Sequence, residues 1–405
     1  MQVRPKPLIV ITGLVILITV FTLWLFLRNS SPPLTRMADA QAQPPLFAPA
    51  PGSPIAVMSG PGNVALGDVN KDGQPDLVVA SGQGPSITVL LGQGDGQFRA
   101  TGSSPVPLPD SPNEMVLGNV NGDSKLDLVI ASHDSYRVML LLGNGSGDFT
   151  LAPNSPIRMK EGQRPHTHGL AIGDLNGDDK PDLVTANNED NDIAVVLGDG
   201  HGGFTRAPGS PFAVGQSPYP FGLRDLNDDG HLDIVATSTL HGNGQSSQAL
   251  TVLFSDGRGG FRRSQVPLRT VDPWFVASGD VNGDRQPDLV TTHWERSELT
   301  VLVGDGKGSF AETAGSPFDL GHAAWWAVIT DVNDDDKADV TAAAGDGVRV
   351  MLGDGRGSFK PAPGLPFPTG KGAWRLAVGD VNGDGKPDIA TSNLESDNVT
   401  VLLAQ

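Results

Sequence analysis

One nine-residue pattern, D-x-N-x-D-x-x-x-D, occurs seven times in this chain, at start-to-start intervals of 51, 55, 51, 55, 51 and 49 residues. The copies are Asp68-Asn70-Asp72-Asp76, Asn119-Asn121-Asp123-Asp127, Asp174-Asn176-Asp178-Asp182, Asp225-Asn227-Asp229-Asp233, Asp280-Asn282-Asp284-Asp288, Asp331-Asn333-Asp335-Asp339 and Asp380-Asn382-Asp384-Asp388. Only the second departs at one of these positions, with Asn119 for Asp. A fixed period of this size means one supersecondary unit, repeated, whose apolar face is buried only by its neighbours. The length would suit one large core or two ordinary ones, but the repeats over residues 45–405 are read as one array.

Oxygen donors at positions 1, 3, 5 and 9 suit Ca²⁺, which takes six to eight hard oxygens at about 2.3–2.6 Å, one of them a main-chain carbonyl near position 7. That carbonyl would come from Gln74, Lys125, Lys180, His231, Gln286, Lys337 or Lys386. An EF-hand would need flanking helices and a Glu at position 12, and here Val79, Ile130, Thr185, Ala236, Thr291, Ala342 and Thr391 stand there instead. Charge points the same way. The chain carries a net charge of −18, and up to seven bound Ca²⁺ would bring it to about −4 by relieving repulsion among clustered carboxylates. Position 6 requires a residue that tolerates positive φ; Gly73, Gly230 and Gly385 meet that requirement better than Ser124, Asp179, Arg285 and Asp336.

A second element repeats in phase. Each loop is followed by a β-forming run, a short polar link, an apolar run and, in most units, a Gly-rich turn ending in Phe, as in ITVLLGQGDGQF up to Phe98 and VRVMLGDGRGSF up to Phe359. No helix pattern follows these turns, so they are hairpins rather than phosphate-binding loops. The apolar runs do not alternate, as expected of strands covered on both faces. One unit is four short antiparallel strands, and seven units predict an all-β, seven-bladed β-propeller. The seventh unit stops at TVLLAQ, without its Gly turn and fourth strand. Phe47 precedes Asp68 by 21 residues, as Phe98 precedes Asn119, so residues 45–57 are expected to complete the last blade.

With these loops followed by DLVVA-type strands and VLLGxGxGxF-type hairpins, residues 45–405 resemble bacterial FG-GAP/VCBS repeat proteins, which are related in fold to the propeller of integrin α-subunits. The resemblance implies Ca²⁺ in the loop between the first and second strands of each blade. It also implies adhesion, or binding of carbohydrate or protein, more often than any one chemistry.

Ahead of the repeats, residues 8–27 are a run of 20 residues without charge, long enough as a helix to cross a bilayer core. Arg4 and Lys6 precede it, which favours a cytoplasmic N-terminal segment at 1–7 and an exported remainder. The Pro/Ala/Gln-rich residues 28–44 read as a tether. The expected location is therefore a single-pass membrane anchor with a periplasmic or extracellular propeller. The alternative is secretion after cleavage near Ala38-Asp39-Ala40 or Ala40-Gln41-Ala42.

The acidic balance excludes nucleic acid as a partner, since duplex binding needs a basic stripe. The absence of Cys excludes thiol nucleophiles and thiolate metal sites. For a ligand site, the residue six before each loop is Gly62, Asn113, His168, Tyr219, Trp274, Trp325 or Trp374. These residues are expected at the channel mouth, opposite the loops, joined by Tyr136, Asn188, Glu189, His293, Trp294 and Glu295 from the links after the second strands. The rings could form a platform for sugars or apolar side chains, or they could simply plug the channel. His166 and His168 share a strand face at a zinc-like spacing, but no third ligand is evident, so they read as a surface pair. No catalytic residue is assigned. The enzymatic alternative is a propeller lyase or hydrolase using His133, His168 or His293 at the mouth.

Overall fold

The structure, a computed structural model, describes residues 45–405 apart from 220, 240–247 and 294; the 1–7, 8–27 and 28–44 segments lie outside the described residues. Among the described residues every regular element is a strand, and no helix is long and apolar enough to cross a membrane.

Seven antiparallel sheets follow one another along the chain, each built first-to-fourth strand from the inside outward. The first strands are Pro61–Gly67, Pro112–Gly118, Thr167–Gly173, Phe221–Arg224, Pro273–Gly279, Ala324–Thr330 and Ala373–Gly379. Each contacts the next, and the seventh contacts the first, which closes a ring. In blades 1, 2, 3, 5, 6 and 7 the second strand, such as Asp127–Ser132, is buried along its whole length. Neighbouring blades cover both faces of these strands, so Leu, Val and Ile occupy them without alternation. Leu77, Leu128, Leu183 and Ile389 are fully inaccessible, each contributing about 1.5–3 kcal/mol by burial.

The last blade draws its outer strand from the start of the propeller. Phe47–Pro49 pairs antiparallel with Asn398–Ala404, in the register Phe47↔Ala404, Ala48↔Leu403 and Pro49↔Leu402. Phe47 packs edge-on against Phe367, with centroids 5.3 Å apart. The Ser53 hydroxyl accepts the Val401 amide at 2.9 Å, just as Ser104, Ser155, Ser210 and Ser316 accept third-strand amides from Val89, Leu140, Val195 and Val301. This serine satisfies a donor that the short fourth strand leaves unpaired.

Candidate functional site

The seven pattern loops join first strands to second strands and so share one face of the ring. Their ninth residues do not project from that face. Asp76, Asp127, Asp182, Asp233, Asp288, Asp339 and Asp388 are all buried at the starts of second strands. In each, one oxygen accepts an amide from the loop and the other an amide at the end of the third strand. For Asp182 these donors are Leu175 and Gly198, both at 2.8 Å; Asp233 and Asp388 receive Ser255 and Ala404 in the second role. Burial pushes Asp182, Asp233, Asp288 and Asp339 up to about 6 despite these bonds. It also raises Asp76, Asp127 and Asp388. Gly198 makes the approach sterically: a Cβ there would lie 2.1 Å from the Pro181 carbonyl oxygen.

The other donors converge. The Asp72 amide is shared by Asp68 Oδ1 at 3.2 Å and Asn70 Oδ1 at 2.9 Å, so both oxygens face one spot. The same sharing occurs at Asp178, Asp229, Asp335 and Asp384. Position 6 takes positive φ in every loop, at Ser124, Asp179, Arg285 and Asp336 as well as at glycine, so all seven keep one backbone form. This oxygen set fits a hard divalent cation: Asp68, Asn70, Asp72 and their counterparts would hold it, with the buried ninth carboxylate retaining free lone pairs. In blades 2, 3 and 6 an ammonium already sits on the fifth-position carboxylate, Lys125–Asp123 at 3.0 Å, Lys180–Asp178 at 3.3 Å and Lys337–Asp335 at 2.9 Å. The Lys337 ammonium holds Asp335 below the usual carboxylate range.

The opposite face is built from the starts of the first strands. In blades 1, 2, 5, 6 and 7 the register with the second strand slips one residue, leaving Gly62, Asn113, Trp274, Trp325 and Trp374 as the bulged residues. A bulge re-aims a side chain that alternation would send elsewhere. In blade 3 the bulge falls one residue later, at Gly169. The rings nonetheless form one arc across five consecutive blades. Successive centroids are 4.5 Å apart for His168–Tyr219, 4.0 Å for Tyr219–Trp274, 6.0 Å for Trp274–Trp325 and 4.9 Å for Trp325–Trp374. Trp274 and Tyr219 are buried, whereas Trp325, Trp374 and His168 are half-buried.

Beside the arc, the following first-strand residues make a polar floor that the sequence reading missed. Arg375 lies 4.4 Å from the Trp326 ring and pairs with Glu114 at 3.0 Å. Glu114 also accepts from Asn63 at 2.8 Å, and all three side chains are buried. The signal was available: opposite charges one residue after the mouth positions of different blades.

Two expected mouth residues fall elsewhere, and a third is not described. His293 is fully buried, bonded to the Val271 carbonyl at 2.9 Å and to Thr300 at 2.8 Å, because neighbouring threonines give its ring a polar niche inside blade 5. Tyr136 is also buried, donating to Asp190, which in turn pairs with Lys160. Trp294 lies outside the described residues. Conversely, His166 and His168 are not merely a pair. His133, from the end of the second strand of blade 2, joins them in a three-imidazole cluster.

Comparison with known proteins gives a family profile described as FG-GAP-like repeat, which matches residues 68–130, 119–185, 174–236, 225–291, 280–342 and 331–391. No curated protein matches the sequence. Among solved structures, the chain is similar to BBS1N in its complex with ARL6DN, at 12% identity and a TM-score of 0.59, covering 89% of this chain and 98% of that one. It is similar to an Agrocybe aegerita lectin that recognises non-reducing terminal N-acetylglucosamine, at 17% identity and a TM-score of 0.52, covering 84% and 93%. It is also similar to virginiamycin B lyase from Staphylococcus aureus, at 11% identity and a TM-score of 0.53, covering 86% and 96%. At these identities the likeness is one of fold.

Proposed function

The chain belongs to the FG-GAP-like repeat family, and from that premise we propose that it is an exported, membrane-anchored, calcium-stabilised propeller that binds carbohydrate or protein at its aromatic mouth. The observation that carries this reading is the unbroken arc from His168 to Trp374, with Trp325 and Trp374 stacked 4.9 Å apart and half-exposed. Half-exposed indole faces offer stacking area to a sugar ring or an apolar side chain at low entropic cost, and the buried Arg375–Glu114–Asn63 floor supplies polarity beside them. The chain enters the propeller at Phe47, opposite Ala404, on the loop face and away from the mouth. Neighbours of the same fold include one solved with a protein partner, one that recognises a sugar and one named as a lyase, so the fold serves binding as well as catalysis.

A glycan array and a peptide array, each probed with the detergent-purified full chain in millimolar Ca²⁺, test the proposal. Specific retention that falls when Trp325 or Trp374 becomes Ala supports it. Retention unchanged in both variants would move the binding site off the mouth. The anchor is tested separately by cell fractionation, where partition into the soluble exported fraction favours the cleaved form.

A further inference from the structure

The three imidazoles at the blade 2–blade 3 boundary form a built cluster. His133, His166 and His168 each offer a ring nitrogen, all within 4.8 Å of one another. Their ring centroids make a near-regular triangle with sides of 4.5 Å (His133–His166), 5.1 Å (His133–His168) and 4.6 Å (His166–His168). Three imidazoles on a tetrahedral zinc, with Zn–N of about 2.0–2.1 Å, would have centroids about 5 Å apart. We propose that this cluster is a transition-metal site of the zinc type, distinct from the oxygen-donor loops on the opposite face.

The surrounding groups suit that role. Asp134 Oδ1 lies 2.7 Å from His133 Nδ1, so this carboxylate fixes the ring and leaves Nε2 to ligate, the usual arrangement around metal-bound histidine. Glu189 Oε1 stands 3.7 Å from His166 Nδ1 and can orient that ring likewise. His166 and His168 meet at Nε2, 2.7 Å apart; that contact needs one shared proton, which a metal would replace as the nitrogens open to about 3.3 Å. Ligation by His168 Nε2 places its ring proton on Nδ1, now 3.2 Å from Asn113 Nδ2; that amide nitrogen also donates to the Thr167 carbonyl, so the Asn113 side chain would have to swing away from His168 while keeping that bond. The cluster supplies three protein ligands and a fourth position for water or an external donor, the pattern of open zinc sites. His168 also stacks on Tyr219, so the metal would stand at one end of the aromatic arc.

The test uses the untagged full chain in detergent with millimolar Ca²⁺ throughout, and Zn²⁺ and Co²⁺ as probes. Calorimetry should find one Zn²⁺ equivalent that Ca²⁺ does not displace, and Co²⁺ should give the intense visible absorption of a tetrahedral nitrogen site. His166→Ala and His133→Ala should each weaken Zn²⁺ by on the order of a hundredfold, and Asp134→Asn by roughly tenfold. His322→Ala, at an exposed imidazole remote from the cluster in sequence, should change neither readout. His133 follows the last residue of its strand, so His133→Ala should keep the wild-type melting temperature and serves if His166→Ala does not fold. Zn²⁺ binding that is unchanged in the folded His133→Ala variant, or is abolished by Ca²⁺, would overturn the proposal, as would a weak octahedral Co²⁺ spectrum.

Discussion

The two ends of the same seven first strands differ sharply. At one end every blade repeats one loop: the sixth residue takes positive φ, and the ninth carboxylate accepts two main-chain amides whether the partner is Gly198, Ser255 or Ala404. At the other end the equivalent position changes from blade to blade, through Gly62, Asn113, His168 and Tyr219, and settles on Trp only in the last three, at Trp274, Trp325 and Trp374. Residues that hold a ring together must do the same work seven times, whereas a ligand without sevenfold symmetry can be met only where the repeat is broken. On the function proposed above, the loop face serves stability and the mouth recognition.

The largest expected effect tests the ring itself. Removing residues 1–58 strips Phe47–Pro49 from Asn398–Ala404 and opens a sheet edge; the product should aggregate on size-exclusion chromatography while a chain starting at residue 45 stays monodisperse. Equal behaviour of the two would show that the closing strand is dispensable. Next, Asp182→Ala should cost about 3–5 kcal/mol in denaturant unfolding, because two buried amides lose their acceptor. Trp274→Ala, at a buried ring of the mouth, should cost a similar about 3–5 kcal/mol. Adding Ca²⁺ to chelator-treated protein should raise Tm, each site at a hundredfold excess over Kd contributing about 2.7 kcal/mol. No shift would remove calcium from the loops, and within them Asp380→Ala should reduce the gain more than Asn119→Ala. The smallest effect on stability belongs to Trp325→Ala: about 1–2 kcal/mol of ligand affinity lost with Tm nearly unmoved. A large fall in Tm would instead make that ring a plug.

These contrasts also explain what could be read from the sequence. The strands and their order were legible because the acidic loop and the Gly-Phe hairpin recur in phase, and phase alone put Trp274, Trp325 and Trp374 on adjacent blades. Three facts were not legible. His133 reaches His166 and His168 only through the packing of blade 2 on blade 3, which no local spacing encodes. His293 ends its second strand, as the buried Ser81, Ser132, Asn187 and Asn393 end theirs, but only the packing shows Thr270, Thr291 and Thr300 bonded to its ring. The ninth carboxylate reads as a surface ligand until the third strand's amide is seen bonded to it.

Pairing the first described strand with the last also sets a schedule. During synthesis at about 5–20 residues per second, the strand around Phe47 waits on the order of 20–70 s before its partner at Ala404 exists. Throughout that interval blades can form in order, but the circle stays open. A ribosome that delivers this chain from its N-terminus must therefore hand over an unclosed arc, and pairing of the final blade is the step that closes the ring.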